Sequence, residues 1–285
     1  MPNLYTIGIK SRLTRESLAN TEVFSVVYHD IFDYPLSFPD LIKWRAGETE
    51  TNDSKLQVLY KNGYYFLEGK EGLIYKRILR ERISKKKLGI AKKASRVLSF
   101  IPTIKMIAVT GSLAMYNSTD ESDIDLLVVT QKGRLWITRI ISYSLLKIFG
   151  QNVRSAGDKN QKDKLCLNMW MDESDLVWKK RDRNVYSAHE IGQILPLINK
   201  DKTYEKFLQK NAWILKFWPN SVKIEVSKHG IRTNKPVFNI FEKIAFLLQR
   251  QYMNSKMTRE VVTPTRALFH PQDWGRVILD RLTQV

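Results

Sequence analysis

The chain has 285 residues and a formal net charge of +18, with 47 Lys and Arg against 29 Asp and Glu. Its apolar fraction of 43% is enough for a packed core and excludes a disordered or low-complexity protein, and its one cysteine, Cys166, excludes an intrachain disulfide. The excess of cations exceeds what a small anionic ligand requires and favours a polyanionic partner such as RNA or DNA, with a merely basic surface as the bland alternative.

Met1 to Lys10 lacks a basic stretch followed by an apolar core, so no signal peptide is expected. Leu135 to Phe149 is the most lipid-like segment, but Arg139 and Lys147 interrupt it, so no membrane contact is expected and a cytoplasmic location follows by default. The length suits one large or two modest domains.

Residues 1–17 show no clear period. Asn20 or Thr21 can start a helix through about Asp33, with Val23, Val26, Val27 and Ile31 inward, before Tyr34-Pro35 breaks it. Ser37 ahead of Pro39-Asp40 starts a second helix through about Trp44, and Ser54 to Lys61 reads as a third. Gly63 to Leu67 and Leu73 to Tyr75 flank a Gly-rich turn and read as a hairpin. Three helices and a hairpin make 18–76 a winged-helix-like domain, suited to protein contact or to nucleic acid.

A connecting helix over 77–97 is the most basic part of the chain. Ile83, Ile90, Ala94 and Val97 give it an inward seam, and Lys85, Lys86, Lys87, Lys92 and Lys93 are candidate nucleic-acid contacts on the remaining faces.

The most informative stretch follows. Ile104 to Val109 reads as a buried strand, and Gly111-Ser112 ends it in a tight turn where backbone can approach a ligand closely. Ser112 can cap a short helix, whose N-terminus attracts phosphate. Asp123-Ile124-Asp125 then opens a second apolar strand, and period-two alternation puts both carboxylates on one face. Close carboxylates repel unless a cation lies between them, and hard oxygen donors favour Mg²⁺ or Mn²⁺. A helix over Leu135 to Phe149 and a third strand over Leu165 to Met171 complete a strand–helix pattern.

Gly-Ser, ten residues, then Asp-x-Asp resembles the signature of the DNA polymerase beta-type nucleotidyltransferase superfamily, nearest its minimal nucleotidyltransferase branch. The likeness runs from Ile104 to Val129, more loosely to Met171. It implies an α+β fold with a small mixed-sheet nucleotidyltransferase domain over 98–175. It further implies that Gly111 and Ser112 hold nucleotide phosphates and that Asp123 and Asp125 bind catalytic Mg²⁺ or Mn²⁺. The family places a third acid on the strand where this chain has Asn168. Asn coordinates through its carbonyl oxygen but is no base at neutral pH, so the catalytic set is Asp123, Asp125 and Asn168, with activity in question. Asp163 and Asp172 flank that strand and read as loop or cap residues.

Residues 184–285 read as a helical C-terminal domain, with helices over Tyr186 to Leu195, Tyr204 to Trp218, Val237 to Tyr252 and Pro271 to Leu282. His29, His189, His229 and His270 have no zinc spacing and read as structural or surface residues, with His189 the one placed to line a cleft. The expected function is transfer of a nucleoside monophosphate from an NTP to a hydroxyl on protein, RNA or a small molecule. The alternative is a catalytically weakened nucleotide-binding or nucleic-acid-binding regulator on the same fold.

Overall fold

The structure is a computed structural model that describes residues 14–15, 18–47, 56–155, 157–224, 239–254, 261–269 and 274–284. It is a mixed α+β fold built on two sheets. The smaller one joins β1 (Thr14–Arg15), β3 (Val58–Lys61), β4 (Tyr64–Leu67) and β2 (Leu36–Ser37) in that order, beside α1 (Asn20–Asp30) and α2 (Phe38–Lys43). Ser37 caps α2: its hydroxyl accepts from the Asp40 amide, and the Asp40 carboxylate accepts from the Ser37 amide.

The larger sheet carries the candidate site. Its order is β8 (Leu195–Asn199), β5 (Ile104–Val109), β6 (Ile124–Thr130), β7 (Leu165–Asp172), β10 (Arg266–Leu268) and β9 (Val261–Thr263). Among the described strands of this sheet only β6 and β7 pair in parallel, which requires a crossover; α5 (Leu135–Ile148) supplies it. One face buries Ile124, Leu126 and Val128 against the long helix α3 (Leu73–Ser99), α5 and α8 (Ile240–Asn254). The other buries Leu127 and Val129 against α6 (Val185–Gly192), α7 (Thr203–Lys210), Phe24 and Tyr28 of α1, and Trp44. Residues of the N-terminal part therefore pack directly on the face of the large sheet. The last helix, α9 (Trp274–Leu282), adds Ile278 to the same core.

Several sequence expectations need correction. Val58–Lys61 is a strand paired antiparallel with β4 across Asn62-Gly63, not the end of a third helix, and Leu73 to Tyr75 opens α3 instead of closing a hairpin. The β-branched and aromatic run Val58-Leu59-Tyr60 finds a partner in Tyr65 and Phe66, and that pairing overrides its helical spacing. Residues 51–55 lie outside the described residues. The described chain thus lacks the third helix on which the winged-helix-like reading depended. Beyond residue 184 the chain is not all helical, since β8, β9 and β10 extend the sheet. Leu195-Pro196-Leu197-Ile198 is a short apolar run, and an edge strand tolerates its proline.

The inward seam of α3 is also displaced from the expected one. Ser84, Lys87, Leu88, Ala91, Ala94, Ser95 and Leu98 are buried, whereas Ile83, Ile90 and Val97 are only partly so. Lys87 is the most informative departure. Its side chain is 1% exposed, and its ammonium donates to Asp120 O at 2.9 Å, Ser122 O at 2.8 Å and Asp163 Oδ1 at 2.6 Å. It cannot contact nucleic acid; it holds the loop that leads into Asp123. Lys85, Lys86, Lys92 and Lys93 are exposed on α3. Among the described residues no helix is long and apolar enough to cross a membrane.

Lys87→Met keeps the bulk of the side chain but leaves two loop carbonyls and a carboxylate without the buried ammonium that they share. It should lower stability in denaturant unfolding by roughly 1–2 kcal/mol, against less than roughly 0.5 for Lys86→Met on the exposed face. Equal losses would contradict the anchoring role.

Candidate active site

Strand β5 ends at Val109, and the chain turns at Thr110-Gly111 into a single helical turn, α4 (Gly111–Ala114). Thr110 is the N-cap of that turn; Ser112 lies inside it and is exposed, so it does not cap as expected. The Thr110 amide donates to Asp125 O at 3.1 Å, which joins the turn to the start of β6. Gly111 has φ +60°, and a Cβ there would lie 2.9 Å from Asp125 Oδ2. The position therefore requires glycine twice over, for its backbone conformation and for the approach to the carboxylate.

The acid pair sits at the mouth of β6. Asp125 Oδ1 accepts from Asn168 Nδ2 at 2.7 Å, so Asn168 reaches the site as its position on β7 suggested. A bulge places it there. Asp125 pairs with Cys166 but Leu127 with Met169, so two residues of β6 oppose three of β7. Strict alternation, which would put Trp170 on the side of Cys166 and Asn168, fails at this point. Trp170 instead packs with Leu165 and Leu167, while Met169 and Met171 lie with the opposite cluster. Asn168 Oδ1 is buried and has no hydrogen-bond partner among the described residues.

Asp123, Asp125 and Cys166 can each bring one ligand atom within 4.8 Å of the others. Burial and the neighbouring Asp123 charge raise the Asp125 pKa to about 7, against hydrogen bonds from Cys166 and Asn168 that oppose the rise. Burial and the two aspartates push the Cys166 thiol well up. Among the described residues the only cation on the pair is Arg154, whose Nη1 lies 2.6 Å from Asp123 Oδ2 and 3.7 Å from Cys166 Sγ. Two carboxylates and a thiol placed this way could hold a metal ion.

These groups open into a cavity of about 600 Å³ that also takes in Phe32, Tyr34, Met115, Tyr186, His189 and Glu190. Gly111, Ser112, Asp123, Asp125 and Asn168 all line it. Asp163 and Asp172 do not: the first pairs with Lys87, and the second is fully buried and accepts from the Gly133 and Ser174 amides.

Three features of the cavity carry no sequence signal. Arg154 comes from a polar loop, Cys166 is a lone thiol, and Glu190 sits inside an ordinary apolar helix. Burial, and then the charge of Asp125, raise the Glu190 pKa to about 8. His189 lines the cavity as its cleft reading allowed, and His29 joins it. His29 Nδ1 lies 2.7 Å from Ser25 O, which can only accept, so Nδ1 carries the proton. His29 Nε2 must then accept from His189 Nε2–H at 3.1 Å. His189 stacks on Trp44 with centroids 4.0 Å apart, and burial holds both imidazoles neutral, His29 near a pKa of about 4 and His189 well below its ordinary value. His229 and His270 lie outside the described residues.

Comparison with known proteins adds no relative: no family model, no curated protein and no solved structure matches this chain.

The raised Asp125 pKa has a consequence for stability. A carboxyl whose folded pKa exceeds its unfolded value favours the fold at low pH and loses that contribution as pH rises to the folded pKa. Without metal, wild type should lose stability relative to Asp125→Asn between about pH 4 and about pH 7. The difference should reach roughly 1–3 kcal/mol at neutral pH. Thermal unfolding of both proteins across that range measures it; parallel curves would contradict the assigned titration.

Proposed function

We propose that the protein is a metal-dependent nucleotidyltransferase, which moves a nucleoside monophosphate from an NTP to an acceptor hydroxyl. The observation that carries this reading is the junction of the two motif halves. The Gly111 turn lies so close to the Asp125 carboxylate that a Cβ at Gly111 would stand 2.9 Å from Oδ2. A phosphate chain seated on the turn would therefore lie beside the acid pair. The order of β5, the Gly-Ser turn and the Asp-x-Asp strand resembles the nucleotidyltransferase core, and the cavity is large enough for a nucleotide.

The residues divide the work by their chemistry. The amides and hydroxyl of Gly111-Ser112 offer donors to the β- and γ-phosphates. Asp123 and Asp125 would hold the cation, with Cys166 and the Asn168 carbonyl oxygen as further donors. Such a cation neutralises charge that develops on the phosphates and polarises the attacked phosphorus. Arg154 offers a guanidinium to the leaving phosphates once Asp123 is engaged elsewhere. The tyrosine and phenylalanine side chains of the cavity, Phe32, Tyr34 and Tyr186, supply apolar surface for a base or an acceptor.

Asn168 favours a second reading. An amide that donates to Asp125 binds but takes no proton, so a regulator that binds NTP without transferring from it would look similar here. Candidate polyanion contacts remain Lys85, Lys86, Lys92 and Lys93, exposed along α3.

Calorimetric titration of Mg-ATP, Mg-GTP, Mg-CTP and Mg-UTP into wild type and Asp123→Ala tests the binding step. Wild type should bind at least one of the four, and the variant should lose more than about tenfold in affinity, or about 1.4 kcal/mol. Equal affinity would refute the acid pair as the metal site. Release of labelled pyrophosphate then separates transferase from regulator.

A further inference from the structure

The acid expected on β7 is missing, yet the cavity holds a third carboxylate that comes from another element. Glu190 projects from α6 into the space shared with Asp123 and Asp125. Only one of its oxygens is engaged among the described residues, by Gln193 Nε2 at 2.7 Å on Oε1. We infer that Glu190 Oε2 is the base that accepts the proton of the acceptor hydroxyl, in place of the acid that Asn168 lacks. This rests on the nucleotidyl-transfer reading of the site.

Elimination among the groups of the cavity leads to the same residue. Asp123 is committed to Arg154 and Asp125 to Asn168, and both are needed by the cation. Cys166 brings its sulfur within 4.8 Å of both aspartates, and burial and their charges disfavour a thiolate there. His189 spends its Nε2–H on His29 and is held neutral far below physiological pH. The phenols of Tyr34 and Tyr186 are pushed up by burial, and that of Tyr186 by Glu190 itself as well. Among the described residues no cation pairs with Glu190, and burial together with Asp125 places its pKa at about 8, the range in which a base both holds and releases a proton near neutrality.

The step balances without a further reactant. The acceptor oxygen forms a bond to the α-phosphorus, and its proton passes to Glu190 Oε2. The bond from the α-phosphorus to the oxygen bridging to the β-phosphorus breaks, and pyrophosphate leaves with that electron pair. Glu190 returns its proton to water before the next turnover. The remote source of the base explains how the site can tolerate Asn168, whose amide fixes the Asp125 carboxylate instead of removing a proton.

The test uses the full chain, Mg-ATP, and either water or glycerol as the hydroxyl donor. Glu190→Gln keeps the shape and the Gln193 contact. It should bind Mg-ATP within about threefold of wild type in calorimetry, yet release pyrophosphate roughly 100-fold more slowly or worse. The wild-type rate should rise with pH through the Glu190 titration; Glu190→Gln should lose this limb and Glu190→Asp should keep it at a reduced rate. A separate reading needs no turnover: metal-free wild type should lose stability relative to Glu190→Gln as pH rises from 4.5 to about 8, the sign expected for a carboxyl titrating high in the fold. A Glu190→Gln variant with the wild-type rate or pH limb would overturn the inference and leave the nucleotidyl-transfer reading standing. So would wild type that binds Mg-ATP but releases pyrophosphate with neither acceptor. Wild type that binds none of Mg-ATP, Mg-GTP, Mg-CTP and Mg-UTP would overturn the reading and the inference with it.

Discussion

The architecture depends on keeping two carboxylates, Asp123 and Asp125, close together at the end of a buried strand. Left alone they repel, and burial sharpens the repulsion because water screens it poorly. The surrounding residues each offset part of that cost. Arg154 places a positive charge on Asp123. Asn168 donates to Asp125, and Asp125 keeps a pKa near 7 even so. The compensation is partial: Asn168 Oδ1 is left buried without a partner among the described residues. A site stabilised this incompletely is in the condition that binding a cation would relieve.

Long-range contacts hold this arrangement in place. Helix α3 acts as a strut between the N-terminal elements and the loop of the motif. Arg77 stacks over Tyr34, pairs with Asp40 and donates to Met115 O. Arg80 donates to Asn117 Oδ1 and Phe32 O, and Ser84 Oγ accepts from the Ser118 amide. Lys87 closes the loop before Asp123. Four successive inward positions of one helix therefore fix the two sides of the cavity, and three of them are cations. Part of the positive charge that suggested a polyanionic partner is spent inside the protein.

The sequence made the core of the site legible because its residues are local and chemically distinctive. Glycine at a turn, two acids two apart and an apolar run on each side can be read without knowing what packs on them, and β5, β6 and β7 lie where the pattern put them. What escaped was non-local. Val58–Lys61 chose a strand because β4 was there to pair with it, and Lys87 turned inward because the carbonyls of Asp120 and Ser122 needed a donor. The bulge that carries Asn168 to Asp125 is invisible to a period-two reading. Glu190 had no motif of its own; only the fold of α6 against the large sheet brings it to the cavity.

The most direct test of the central claim is a crystal structure with Mn²⁺ and a non-hydrolysable ATP analogue, using anomalous scattering to locate the metal. The account predicts an anomalous peak bridging Asp123 and Asp125, phosphates seated against Gly111-Ser112, and Arg154 turned from Asp123 toward the nucleotide. A structure with Arg154 still on Asp123, and no anomalous peak between the two carboxylates at saturating Mn²⁺ and analogue, would contradict it.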